Sequence, residues 1–218
     1  MNLIDAINTV ATLPNVKPIC INGKAFCGKT SFLLELMVAM NKPSIYISLE
    51  DTVENLSSWL KGKYGNRWGE QSEPIGIIGS FSSNTRSVGN VIERFNGIYR
   101  TLVENSAVEP RTLFIDNIDS LETSDMRDMV TGEPYRKFID DMTRNGFQVI
   151  YTTHRNSAAL DFKGEFPRWC KPDYLIEVSK SRVDAGDELL FGIQFFGEIG
   201  KPTLTFKQKE KIVFGELV

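Results

Sequence analysis

Gly23-Lys24-Ala25-Phe26-Cys27-Gly28-Lys29-Thr30 satisfies the pattern G-x-x-x-x-G-K-S/T. Backbone N–H groups of such a loop wrap a polyphosphate while the following helix points the positive end of its dipole at it. The residue types follow from that job. Gly23 and Gly28 allow backbone approach without a Cβ, Lys29 places a point charge on the β and γ phosphates, and the Thr30 hydroxyl is free to ligate Mg²⁺. Residues Gly23 through Ser31 are therefore the expected nucleotide-binding segment. A glycine turn with an incidental lysine is the plain alternative, but the context meets the motif's demands. Lys17-Pro-Ile-Cys-Ile-Asn22 reads as a short buried strand, and Thr30 to Met40 is too apolar all round for a surface helix. Cys27 occupies a variable position, as a small residue the turn tolerates or as a redox-responsive thiol.

Outward from the loop, strand and helix patterns alternate. Ser44 to Leu49 reads as a strand, Thr52 to Lys61 as a helix, and Ile75 to Ile78 as a strand. Val88, Val91, Ile92, Phe95, Ile98, Tyr99 and Leu102 trace a helical stripe. Arg111 to Asp116 is a strand ending in a carboxylate, Tyr135 to Arg144 a helix, and Phe147 to Thr153 a strand. Upstream, Leu3 to Ala11 has helical spacing stopped by Pro14. Beyond residue 170 the rhythm changes to strands alone, at Asp173 to Val178, Glu188 to Phe196, Pro202 to Lys207 and Lys211 to Phe214. The expectation is an α/β fold, a mostly parallel twisted sheet with helices on both faces, extended by antiparallel hairpins.

Composition narrows the classes further. The chain has 218 residues, 41% hydrophobic and 24% charged, enough to bury about 70% of its unfolded surface without a metal or disulfide staple. With no repeat or linker, a single domain over residues 1–218 is expected. The formal net charge of −3 argues against a surface that coats nucleic acid or anionic lipid throughout. The three cysteines lack Cys-x-x-Cys spacing, which fits a reducing cytoplasm better than secretion or zinc ligation. No apolar run reaches the roughly 20 residues of a membrane span.

Three residues outside the loop complete a candidate site. Asp116, at the end of an apolar strand, suits a carboxylate that holds Mg²⁺ together with Thr30; taken alone it would equally be a turn cap. Asp119, three residues on, reads as a loop carboxylate. Glu50, at the tip of the strand that follows the loop helix, is the candidate base for a hydrolytic water. The competing reading makes it the acidic first turn of a helix capped by Asp51 or Thr52. His154, the only histidine, closes the strand beside Asp116 and suits a donor to the γ phosphate, although a lone histidine is more often structural.

Pro18-Ile-Cys-Ile-Asn-Gly-Lys-Ala-Phe-Cys-Gly-Lys-Thr-Ser-Phe32, Ile45-Tyr-Ile-Ser-Leu-Glu50 and Leu113-Phe-Ile-Asp-Asn-Ile-Asp119 together resemble RecA-like P-loop ATPases. The likeness is to the DnaB-type helicase core, its KaiC and RadA relatives, and phage Sak-type recombination proteins. It extends over nearly the whole chain. The resemblance implies ATP and Mg²⁺ as ligands, Glu50 as catalytic glutamate, Lys29 as phosphate contact and His154 in the place of a polar sensor, usually Gln. A ParA-type loop would carry lysine at the second variable position, where this chain has Ala25. One departure concerns the Lys-x-Arg pair that DnaB-type helicases present to a neighbouring subunit. Ile193-Gln-Phe-Phe-Gly-Glu198 has no basic residue, and Arg182 or Lys201 would have to substitute.

The resemblance also implies nucleic-acid contacts from the loops at Glu122 to Glu133 and Arg155 to Trp169. The second interleaves Arg155, Lys163, Phe166, Arg168 and Trp169, suiting phosphate contact plus base stacking; a solvated loop with its aromatics tucked onto the core would have the same composition. A bare motor core is expected, a single-stranded-DNA-dependent ATPase acting as helicase, recombinase or annealing factor in replication or recombination. Its implied partners are copies of itself in a ring or filament and a replication, recombination or packaging protein, with no membrane. A packaging motor and a slowly hydrolysing assembly switch are the alternatives. A small-molecule kinase would need lid arginines that the C-terminal strands do not supply.

Overall fold

A computed structural model describes residues 10, 18–65, 75–79, 81, 86–106, 108–121, 133–154, 174–182, 189–196 and 202–209. Strand β1 (Ile19–Gly23) leads into helix α1 (Lys29–Met40), which starts one residue before its apolar pattern because Gly28, at φ 91°, is its N-cap. Asn41, at φ 43°, ends α1 ahead of Pro43. Strand β2 (Ser44–Ser48) and helix α2 (Val53–Tyr64) follow, then β3 (Ile75–Ile78), the long α3 (Val88–Ser106) and β4 (Thr112–Asp116). A single 3-10 turn, Ile118–Ser120, precedes α4 (Glu133–Arg144) and β5 (Gln148–His154). The remaining strands are β6 (Tyr174–Arg182), β7 (Leu189–Phe196) and β8 (Pro202–Lys209).

These strands form one sheet in the order β3-β2-β4-β5-β1-β6-β7-β8. From β3 through β6 every pairing is parallel, and β7 and β8 add antiparallel hairpins. Parallel strands enclosed on both faces should be apolar on both, and β1, β2 and β4 are buried at every position. Their side chains alternate between two cores. Ile19, Ile21, Tyr46, Phe114 and Ile150 face α1 and α2, packing with Leu33, Leu36, Met37, Leu56 and Leu60. Cys20, Ile45, Ile47, Leu113, Ile115 and Val149 face α3 and α4, packing with Val91, Phe95, Phe138 and Met142. Phe95 meets Phe147 edge-on at 5.4 Å between centroids, the favourable T-shaped geometry that ties α3 to the entry of β5.

The expected fold class is therefore the observed one, with element ends displaced by a few residues. Helix α2 runs to Tyr64, past the expected end at Lys61, until Gly65 at φ 54° stops it. Strand β5 begins and ends one residue later than expected, so His154 is its last residue. The helix expected at Leu3 to Ala11 lies outside the described residues apart from Val10, which is buried in the α1 core. The strand expected at Lys211 to Phe214 and both expected nucleic-acid loops, including Arg155, Lys163, Phe166, Arg168 and Trp169, lie outside them, save Glu133 at the head of α4.

Candidate functional site

Parallel strands carry their ligands at their carboxyl ends, and the tips of β1, β2, β4 and β5 meet here around the head of α1. Gly23 closes β1, where an added Cβ would lie 2.3 Å from the Val178 carbonyl oxygen of β6 and 2.6 Å from Cys27 Sγ. Glycine is needed at this position because the neighbouring strand and the loop's own buried thiol press against it, more than for nucleotide approach. Gly28 supplies the left-handed turn into α1 and offers no side-chain cap to it, and the first turn of α1 contains no acidic residue. The leading N–H groups of α1 thus have neither a capping side chain nor an acidic neighbour, the arrangement that receives anions. Phe26, at φ 60°, is 94% exposed at the loop's outer tip.

Lys29 is only 5% exposed. Its ammonium donates to the carbonyl oxygens of Gly23 at 3.0 Å and Lys24 at 2.9 Å, and its third contact is Nδ1 of His154 at 3.2 Å. An ammonium has three protons, so each has an acceptor within this group. The loop lysine and the chain's one histidine are thereby joined, although 125 positions separate them.

Asp116 is 3% exposed. Thr152 donates its hydroxyl to Oδ1 at 2.5 Å and Tyr46 donates to Oδ2 at 3.1 Å; the Thr30 hydroxyl bonds the same carboxylate. Burial raises the Asp116 carboxyl above its ordinary range, and the three hydroxyls oppose the rise without cancelling it. Burial likewise raises the Tyr46 phenol well above its usual value, reinforced by the adjacent Asp116 charge.

Glu50 projects from the tip of β2 as an exposed side chain. Its Oε1 accepts from Asn117 Nδ2 at 2.7 Å and Ser120 Oγ at 3.2 Å, and lies 3.3 Å from His154 Nε2. Thr52, and not Asp51, caps α2 by accepting from the Asn55 N–H at 3.2 Å; the Asp51 N–H is itself bound by Ser48 Oγ at 2.9 Å. Helix capping and a site-facing Glu50 therefore coexist on adjacent residues. Asp119 lies in the turn after β4, as expected of a loop carboxylate, and is tied to β5. It accepts from Thr153 Oγ1 at 2.7 and 2.9 Å and from the His154 N–H, pinning the end of β5. Burial raises its pKa, opposed by those donors.

The family question is decided by sequence and fold together. The model of the ATPase family associated with various cellular activities, AAA, matches residues 19–163. The chain belongs to the AAA ATPase family. Among solved structures, this ATPase is similar to a KaiC-like protein of the hyperthermophilic archaeon Pyrococcus horikoshii. The two share 17% identity and a TM-score of 0.57 across 90% of this chain and 84% of that one. No curated protein matches the AAA chain. Its fold is that of the RecA-like P-loop ATPases, as the sequence resemblance implied.

Of the residues expected to act, Lys29, His154 and Glu50 are linked by direct contacts and Thr30 adjoins the Asp116 carboxylate, whereas Lys24, Ala25, Phe26 and Ser31 are exposed on the loop and the head of α1. Sequence reasoning missed Asn117, Ser120, Tyr46 and Thr152. For Asn117 a signal existed, a polar residue directly after Asp116; for Tyr46 and Thr152 it was a hydroxyl at even spacing from a strand tip, visible only once β2 and β5 are known to flank β4.

Proposed function

We propose that this AAA ATPase is a nucleic-acid-dependent motor of RecA/DnaB type, a helicase, recombinase or annealing factor that hydrolyses ATP when engaged with single-stranded DNA. The observation that carries the reading is the line of contacts from Lys29 through His154 to Glu50, at 3.2 and 3.3 Å. It puts a phosphate-loop cation, a sensor-position imidazole and a potential base within one small volume. Strand β5 ends at His154 and the chain continues directly into the basic and aromatic stretch from Arg155 to Trp169. Nucleic acid held by that stretch would pull on a residue already bound to the lysine.

In the proposed reaction the loop N–H groups and Lys29 bind the β and γ phosphates, and Glu50 takes a proton from the attacking water. The water oxygen bonds to the γ phosphorus as its bond to the β,γ-bridging oxygen breaks, giving ADP and phosphate. The oxygen donors Thr30 and Asp116 suit a small hard cation. They would hold Mg²⁺, which when bound offsets charge on the phosphate oxygens. His154 stands where it can orient the γ phosphate. Copies of the chain in a ring or filament would supply a further cation in trans.

Turnover of the wild type and Glu50→Gln, with and without single-stranded DNA, tests this. The expected result is a wild-type rate raised by single-stranded DNA and a variant slowed about 10²–10⁴-fold with nucleotide binding retained. A response to duplex alone would favour a packaging motor. No hydrolysis under any condition would favour an assembly switch, the reading supported by the three groups that crowd Glu50 Oε1.

A further inference from the structure

Asp116 is a buried carboxylate with an unusual set of companions. Among the described residues none of its hydrogen-bond donors is a cation: Thr152, Tyr46 and Thr30 all approach it as neutral hydroxyls. A neighbouring lysine or arginine would cancel the carboxylate's charge. Hydroxyls fix its orientation and leave the charge in place. A carboxylate has about four lone-pair sites, so three donors leave one open.

Tyr46 reaches Asp116 from a position that packing alone would fill with phenylalanine. Its ring stacks on Phe114 at 6.3 Å between centroids, within the apolar core beneath α1. The phenol oxygen brings a polar group into that core, where it needs a partner, and the partner is Oδ2. Thr152 does the same from the opposite side, as a fully buried residue of β5. The carboxylate is thus gripped between the two strands that flank β4, one hydroxyl to each oxygen.

We propose that Tyr46 and Thr152 are positioning residues acting through Asp116: their hydroxyls lock the carboxylate so that its open lone-pair site serves a divalent cation shared with Thr30. The proposal rests on the nucleotide-site reading above. It assigns a role to two residues that touch neither nucleotide nor metal.

The test uses binding of a fluorescent ADP analogue to the full chain, first in EDTA and then titrated with Mg²⁺, for wild type, Tyr46→Phe, Thr152→Val and Thr152→Ser. Removing a partner that orients a metal ligand typically costs 10–100-fold in metal affinity. The half-saturating Mg²⁺ concentration should therefore rise about tenfold in Tyr46→Phe and Thr152→Val. Thr152→Ser, which keeps the hydroxyl, should restore the wild-type value, and all four proteins should bind the analogue alike in EDTA. A general loss of packing would lower thermal stability without moving the Mg²⁺ midpoint selectively. An unchanged midpoint in the folded variants overturns the proposal while leaving the nucleotide site standing; should Tyr46→Phe not fold, Thr152→Val decides. A wild type that binds no analogue overturns the site reading and this proposal together.

Discussion

The Lys29 ammonium lies 3.2 Å from Nδ1 of His154, and on the far side of the same ring Asn117 Nδ2 lies 2.6 Å from Nε2. The Asn117 amide is oriented by the Ser120 N–H, which donates to its Oδ1 at 2.9 Å, so both neighbours present donors. A neutral imidazole has one acceptor nitrogen. The two donors compete for it, and charge favours the ammonium, since Nε2–H can then point at the Glu50 carboxylate.

Phosphate entering the loop would draw Lys29 away from that ring. The proton should move from Nε2 to Nδ1, letting Nε2 accept from Asn117. Because the chain has a single histidine, two-bond ¹H–¹⁵N correlation spectra report on this ring alone. The two ring nitrogens should exchange their chemical-shift characters on addition of a non-hydrolysable ATP analogue; an unchanged tautomer would refute the competition.

Thr52 and Glu50 are separable. Thr52→Ala removes the cap of α2 and should cost about 1 kcal/mol of stability, read from denaturant midpoints. Turnover should stay within about twofold, because Thr52 acts on the helix and not on the nucleotide. A fall in turnover comparable to that of Glu50→Gln would mean that the capping residue governs the reaction.

Gly23→Ala places a methyl group 2.3 Å from the Val178 carbonyl oxygen. Overpacking of this kind typically costs 1–3 kcal/mol, and here the strain falls between β1 and β6 at the root of the phosphate loop. Both thermal stability and nucleotide affinity should drop. A variant as stable as wild type would show that β6 yields freely at this point.

Asp119 predicts a pH dependence. Burial raises its folded-state pKa above the unfolded value of about 3.9, so the folded state binds more protons between those two values. Its contribution is complete below the unfolded pKa and is lost as pH rises through the folded one. The stability of wild type relative to Asp119→Asn should therefore be most favourable below about pH 4 and decline toward neutrality, measured by urea unfolding at a series of pH values. A difference that grows with pH would contradict the sign.

The sequence made the phosphate loop legible because its chemistry is local: Gly28, Lys29 and Thr30 act through backbone geometry set within eight residues. Glu50, Asp116 and His154 were legible as polar residues ending apolar strands. Their second layer was not. Tyr46 and Thr152 look like ordinary strand residues, and their meaning depends on β2 and β5 lying on either side of β4, a sheet order that no local pattern encodes. Asp119 does lie in the turn after β4, as expected, but its partners Thr153 and His154 are more than thirty positions away and no local pattern shows them.

Because the Val178 carbonyl occupies the space beside Gly23, β6 borders the root of the phosphate loop and closes the outer side of β1. A fragment ending ahead of Tyr174 would leave Ile19-Cys20-Ile21 as a bare margin with unpaired amides, a template on which other chains could stack. Dissecting this ATPase into a minimal catalytic piece would therefore yield aggregates before it yielded a smaller enzyme.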